Sequence, residues 1–311
     1  MSVSITKTIP KPAVGPSTLS LFLAFAAVYL IWGSTYLFVR FATETLPPFL
    51  LASTRYLIAG SLIFVYAIRQ GARPITRHDI LAAIPTGFLL ILIGNGGVTW
   101  ALQYVPSGLT AILIATEPLW VVLLAWVWYG KAHKPNAMVL AGMIIGFLGM
   151  IYLIYARGAS VQGETNLPAV LVILLSSVAW AVGSLLVANT PGRNTPAMNL
   201  ALQMLAGGVM LLMMGTLAGD WAAVDVQQVS AKSFLSYLFL VFFGTLVAYT
   251  AYNWLLRSVS PSLAATHAYV NPVVAVLLGW AFADERLSWQ TLLASGIIVA
   301  SVVLVISREK D

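Results

Sequence analysis

The stretch ATEPLW places one carboxylate, Glu117, where no other charged side chain occurs between Asp79 and Lys131. A charge at the centre of a long apolar run costs about 2.5–3.5 kcal/mol on insertion scales, and such groups face a bundle interior or a water-filled cavity. Protonation or a cationic partner lowers that cost. Glu117 is therefore a candidate for substrate binding or proton coupling. Pro118 follows it directly. A proline within a helix has no N–H to donate, so the carbonyl of Ile114, one turn earlier, is left as an acceptor. The stretch YVNPVV repeats the arrangement: Pro272 frees the carbonyl of Ala268 in the same way. Pro118 and Pro272 are thus expected to break two helices at matching depths. The plainer alternative is a pair of kinks whose free carbonyls bond to neighbouring helices or water.

His267 and Asn271 stand four residues apart beside that second proline, so they share a helix face. Histidine titrates near neutral pH and suits a proton relay; a neutral ring held by a backbone carbonyl is the structural alternative. Arg55 lies within another apolar run, about 12 Å from its start if helical. Its planar fork suits a carboxylate, whether of Glu117 or of a substrate; a bond to a carbonyl or helix end is equally consistent. One further run supplies Asn95, Thr99, Trp100, Gln103 and Tyr104, and another Tyr249, Tyr252, Asn253 and Trp254. Asn95, Trp100, Tyr249, Asn253 and Trp254 are expected to line a binding cavity with Glu117, His267, Asn271 and Arg55. Trp128, Tyr129, Tyr152 and Tyr155 lie near the ends of runs, where aromatic rings anchor a helix at the membrane surface.

These residues need elements to hold them, and composition says what kind. Of 311 residues, 60% are hydrophobic and 8% charged, against roughly 25% charged in soluble domains. Too few charges exist to cover a water-facing surface, so the expected solvent is the bilayer. The hydrocarbon core takes about 20 apolar residues per helix. Ten runs meet that approximately: 20–39, 47–68, 79–101, 107–129, 137–155, 168–187, 197–218, 234–256, 262–282 and 289–306. Proline and glycine mark the breaks, as at Pro47-Pro48, Pro106, Pro135 and Pro191-Gly192. Residues 1–19 are polar and proline-containing, lack the pattern of a secretory signal, and are expected to form a disordered cytoplasmic tail. The net charge of +6 comes from short loops. That is the membrane-orientation pattern, so no nucleic-acid partner is expected. With the N-terminus inside, eleven Lys and Arg fall on inner segments (Lys7, Lys11, Arg69, Arg73, Arg77, Lys131, Lys134, Arg193, Arg257, Arg308, Lys310) and four on outer ones (Arg40, Arg157, Lys232, Arg286). Cytoplasmic loops retain the basic excess, so both termini are expected inside.

The second half repeats the first. At an offset of 148, Trp32 matches Trp180, Pro48 matches Pro196 and Gly60 matches Gly208. At 154, Trp100 matches Trp254, Glu117 Asn271, Pro118 Pro272, Trp126 Trp280 and Gly142 Gly296. Five spans per copy is an odd number, so the second copy enters the membrane inverted. The expected fold class is an all-α membrane protein of ten transmembrane helices in two inverted five-helix repeats: 20–155, an outer linker 156–167, 168–306, and a short cytoplasmic end 307–311. Two similar halves of opposite topology can exchange conformations around a midplane site, which is how secondary transporters work. Gly142 and Gly146 form GxxxG, matched by Gly296 and Ala300. Small residues allow close helix packing, here of spans five and ten, within one chain or across a homodimer.

The ordered set YLIWGSTYLFVR, LLASTRYLIAG, ATEPLW, GMIIGFLGMIYLI and YVNPVV resembles the EamA-type branch of the drug/metabolite transporter superfamily over residues 20–306. The resemblance implies ten helices in two inverted halves and export of small metabolites across a bacterial inner membrane. Within that branch the chain resembles amino-acid exporters of the YddG type; the motifs themselves do not specify a substrate. Many relatives carry Glu after the fourth span of each half. Glu285 keeps that residue, whereas Lys131 departs from it.

Other classes fit less well. No GxxxxGK[ST] loop exists to drive an ATP pump and no HExxH to bind zinc. The absence of cysteine removes disulfides, thiolate metal sites and cysteine nucleophiles. Of three histidines, His78 and His133 lie in loops. No catalytic residue, metal or cofactor is expected. A cavity with Glu117, Arg55 and aromatic rings fits a small zwitterion, such as a neutral or aromatic amino acid. A lipophilic cation, paired with Glu117 and stacked on an aromatic ring, is the second reading.

Overall fold

The computed structural model describes residues 16–102, 104–105, 110, 113–130, 134–156, 166–189, 193–282 and 289–308. The expected tail over residues 1–15, most of the linker, Gln103, Lys131 and Glu285 lie outside the described residues. Among those described, the secondary structure is helical with no strand. Helix α1 comprises Thr18–Ala26, a π-helical stretch Ala27–Ile31 and Trp32–Ala42. Then come α2 (Pro48–Arg69), α3 (Arg77–Thr86, π-helical Gly87–Gly96, Gly97–Ala101), α4 (Glu117–Tyr129) and α5 (Ala137–Ala156). The second half holds α6 (Leu167–Asn189), α7 (Pro196–Ala218), α8 (Ala231–Phe239, π-helical Leu240–Tyr249, Thr250–Ser258), α9 (His267–Phe282) and α10 (Trp289–Arg308). A single turn, Pro261–Ala264, precedes α9.

Among the described residues, six helices are long and apolar enough to cross a membrane: Thr18–Val39, Pro48–Arg69, Arg77–Ala101, Leu167–Asn189, Pro196–Ala218 and Ala231–Ser258. Glu117–Tyr129, Ala137–Leu153 and Leu292–Leu304 are shorter apolar helices. Large apolar side chains such as Phe22, Leu62, Leu171, Met213 and Phe243 are exposed on the outside. A soluble monomer rarely leaves so much apolar surface bare; here lipid covers it.

Helix starts follow their sequences. Pro48 and Pro196, the repeat-matched pair, each sit in a first turn, where a missing N–H costs nothing. Thr195 caps α7 through the N–H of Met198. The α2 start borrows its cap from the other half: Asp220 accepts from the N–H groups of Phe49 and Leu50 at 2.9 and 3.0 Å. Thr76 and Asp79 close a reciprocal capping box at the head of α3.

Packing between the halves is paired as the repeat requires. Helix α1 packs on α8 and α9, and α6 packs correspondingly on α3 and α4. The contact of α2 with α8 is matched by that of α7 with α3, while α2·α7 and α5·α10 are self-matched pairs. At the α2·α7 crossing the matched glycines serve as the close points. A Cβ on Gly60 would stand 2.9 Å from that of Met204, and one on Gly208 would stand 3.0 Å from Leu57. The expected GxxxG contact is shifted. Gly146 and Gly149 meet Ser301 and Ile297–Ile298, whereas a Cβ on Gly296 would meet nothing. This α5·α10 contact is made within the chain.

Candidate functional site

A cavity of about 160 Å³ opens between α1, α2, α3, α4, α6 and α9. It is lined from the C-terminal halves of α1 and α3 (Thr35, Val39, Asn95, Thr99), from the N-terminal half of α2 (Arg55), and from the N-terminal ends of α4 and α9 (Glu117, His267, Asn271). The opposite half of the bundle holds much of the described apolar core. There Ala24, Val28, Val187, Leu200, Met204, Leu255 and Leu256 form one core cluster.

Glu117 is 3% exposed, and its Oε1 has no hydrogen-bond partner. It heads α4 rather than lying in mid-helix as its position in the apolar run suggests. The turn ahead of it tightens: the N–H of Thr116 bonds the carbonyl of Leu113 at 3.2 Å, and that of Leu119 bonds Thr116 at 3.0 Å. Pro118 therefore occupies a first turn, and the discontinuity precedes it. The partner helix behaves similarly but out of register. Its break is at Ala265–Thr266, and Pro272 lies inside the continuous α9. The Leu113 carbonyl also accepts from Ser177 Oγ at 3.3 Å, and Ser176 Oγ donates to the carbonyl of Ile93 at 2.8 Å. Two serines of α6 thus supply donors at the break before α4 and in the π-helical stretch of α3.

Arg55 is buried, and its Nε donates to Thr245 Oγ1 at 3.0 Å. Its guanidinium carbon lies 5.5 Å from the Tyr56 ring centroid. The bond to Thr245, not one to Glu117, fixes the side chain, and the guanidinium still reaches the cavity wall. His267 places Nδ1 3.3 Å from the carbonyl of Ala265. A carbonyl only accepts, so this contact is a hydrogen bond when the proton is on Nδ1. The ring is wedged 5.0 Å from Trp32 and 5.1 Å from Tyr252, centroid to centroid. This is the carbonyl-held arrangement, placed on the cavity wall.

Five of the expected site residues converge: Arg55, Asn95, Glu117, His267 and Asn271 line one cavity. Four do not line it. Trp100 and Trp254 are half-buried against the core. Tyr249 is buried and its hydroxyl accepts from Gln203 Nε2 at 3.1 Å. Asn253 donates to the carbonyl of Tyr249 at 3.0 Å. The aromatic lining comes instead from Trp32 and Trp180, whose rings meet edge to face at 5.8 Å and 74°. Trp180 Nε1 donates to Tyr252 Oη at 3.0 Å, and Ser184 Oγ lies 2.8 Å from that same hydroxyl. The repeat match of Trp32 with Trp180 was the signal for this pair: residues matched across a pseudo-twofold meet where the axis passes. Gly94 allows it, since a Cβ there would stand 2.8 Å from the Trp180 ring.

A model of the EamA-like transporter family matches residues 18–155 and again 167–307. The chain belongs to the EamA-like transporter family. This EamA transporter is 39% identical over 291 residues to the uncharacterized inner membrane transporter YedA of Escherichia coli (strain K12), covering 92% of this chain and 90% of that one. It is 27% identical to the uncharacterized transporter YvbV of Bacillus subtilis (strain 168), covering 93% and 92% respectively. A solved crystal structure aligns with a TM-score of 0.75 at 19% identity, covering 95% of this chain and 99% of that one; the likeness is one of fold. The EamA family match falling twice, the multiple apolar helices and the transporter relatives identify a multi-pass membrane transporter.

Proposed function

We propose that this EamA transporter exports small zwitterionic metabolites, neutral or aromatic amino acids foremost, by alternating access between two inverted five-helix halves. Both termini lie in the cytoplasm of a bacterial cell, and ten helices cross the inner membrane. The observation that carries the substrate reading is Glu117. Its Oε1 is buried and unpartnered on the wall of a cavity that Arg55 and two tryptophans share. A carboxylate acceptor and a guanidinium on one small cavity suit the two charges of an amino acid, and Trp32 and Trp180 suit its apolar side chain. A multiply charged nucleotide-sugar needs more cationic groups than Arg55 supplies.

A competition panel in proteoliposomes tests the reading. Uptake of one labelled neutral amino acid is challenged with other amino acids, lipophilic cations and sugars. Competition by amino acids is expected. If only lipophilic cations compete or are carried, Glu117 and the Trp32–Trp180 pair serve drug efflux instead. Recovery of a cleaved product inside the liposomes would point to an enzyme.

A further inference from the structure

Three buried acceptor atoms have no hydrogen-bond partner among residues lining this one cavity: Glu117 Oε1, Asn95 Oδ1 and Asn271 Oδ1. They come from three helices, α4, α3 and α9. Glu117 and Asn271 are repeat mates, and both side chains are at most 5% exposed. Buried polar atoms are nearly always paired, and one left unpaired is costly. Several neighbouring donors are committed elsewhere. Thr99 Oγ1 donates to the carbonyl of Asn95 at 2.8 Å, Ser176 and Ser177 donate to backbone carbonyls, and Trp32 Nε1 donates to the carbonyl of Gly244 at 3.0 Å. Three acceptors in the lining of one cavity are thus left without a protein donor, and a donor-rich ligand group would satisfy them.

We infer that Glu117, Asn95 and Asn271 form a subsite for a primary ammonium, selecting –NH3+ over quaternary ammonium ions. The inference rests on reading this cavity as the transport site. A primary ammonium offers three N–H donors on one centre, one for each unpaired acceptor, and its charge complements the Glu117 carboxylate. A quaternary ion could stack on Trp32 or Trp180, but it has no N–H and would leave all three acceptors unpaired. The two asparagines are then the specificity residues. Glu117 attracts any cation, whereas the amides distinguish a cation that donates from one that does not. Gly33 helps set Asn271: a Cβ there would lie 3.1 Å from the Asn271 carbonyl and 2.6 Å from Val274, so a larger residue would push α9 away from α1.

The test measures binding to the full chain in lipid nanodiscs, separately from transport. The probes are phenethylammonium and L-phenylalanine, each compared with its N,N,N-trimethyl derivative. Both primary compounds should bind at least about tenfold more tightly than their trimethyl partners. Asn95→Ala and Asn271→Ala should each weaken the primary compounds by about tenfold and leave the trimethyl compounds unchanged. Asn95→Asp and Asn271→Asp keep an acceptor and should retain the preference, which separates loss of the subsite from misfolding. Equal binding of primary and trimethyl compounds overturns the inference, as does failure of both primary compounds to bind. So does equal weakening of both probe types by the alanine variants. If phenethylammonium is selected and phenylalanine is not bound, the ammonium subsite stands and the amino-acid reading fails.

Discussion

Glu117 and Arg55 divide the work of the site at the level of single side chains. Glu117→Gln keeps the shape and an acceptor while removing the charge. Its flux at low substrate concentration should fall by about tenfold or more, the usual scale for losing a charge-assisted hydrogen bond. Initial-rate transport in proteoliposomes measures this, and an unchanged rate demotes Glu117 to a structural residue. Arg55 is held by Thr245 at one edge and lines the cavity. Lysine keeps the charge but not the fork. Arg55→Lys should therefore raise the KM for an amino acid by about tenfold while sparing its amide derivative, which lacks the carboxylate. Equal losses for both substrates would remove the carboxylate role. These residues were legible because charge in an apolar run is costly and therefore conspicuous. Trp32 and Trp180 stood out only as a repeat pair, because tryptophan is at home in an apolar run whether it lines a cavity or packs.

At the level of elements, the prolines illustrate how local rules meet their neighbours. Proline chemistry predicts a freed carbonyl four residues back. The chain instead turns before Pro118, so the ring falls in a first turn where it costs nothing. Around Pro272 the helix continues, and its break lies at Ala265–Thr266, where Tyr29 Oη and Thr266 Oγ1 are 2.6 Å apart. The π-helical stretches Gly87–Gly96 and Leu240–Tyr249 occupy repeat-matched helices and were not legible in the sequence. A wider ladder has no residue signature; it follows from what the helix packs against. The α2·α7 crossing gives an element-scale prediction. Gly60→Val drives a branched side chain into Met204 and Leu205, and overpacking of this kind costs about 1–3 kcal/mol. A lower melting temperature in detergent is expected, and an unchanged one would show that the crossing can open without penalty.

For the whole molecule, the decisive feature is the asymmetry of a pseudo-symmetric bundle. The cavity occupies one half, while the other is closed by the core around Val187, Leu255 and Leu256 and by the Tyr252 hydroxyl bound to Trp180 and Ser184. With both termini cytoplasmic, as proposed above, the open half is the outer one. The chain contains no cysteine, so single-cysteine probes need no altered background. Val98→Cys on the cavity wall should react with an impermeant maleimide added to the outside of cells, and Val187→Cys should not. Adding Tyr252→Phe removes the hydroxyl that bridges α6 and α8, and labelling of Val187→Cys by a permeant maleimide should rise severalfold as the closed half opens more often, a shift of about 1 kcal/mol. Labelling of Val98→Cys only from the inside would reverse the assigned orientation.

The sequence by itself determined the solvent, the repeat and the candidate carboxylate. Each follows from local composition or spacing: an 8% share of charged residues, matched prolines and tryptophans, one acid in a long apolar run. It also carried the family, through an ordered set of motifs spread along the chain. Only the tertiary structure decided which polar groups share a cavity. Asn95, Glu117 and Asn271 face it, whereas Asn253 and Tyr249 spend their polar groups on bonds outside its lining. The direction of a side chain within a membrane bundle depends on helix rotation, and that rotation is set by close contacts such as Gly33 on Val274 and Gly94 on Trp180. A helix that is apolar all round carries no strong periodic signal to fix its rotation. The half in which the cavity opens was likewise beyond the sequence, because two near-equivalent repeats encode both halves alike and only their packing against each other distinguishes open from closed.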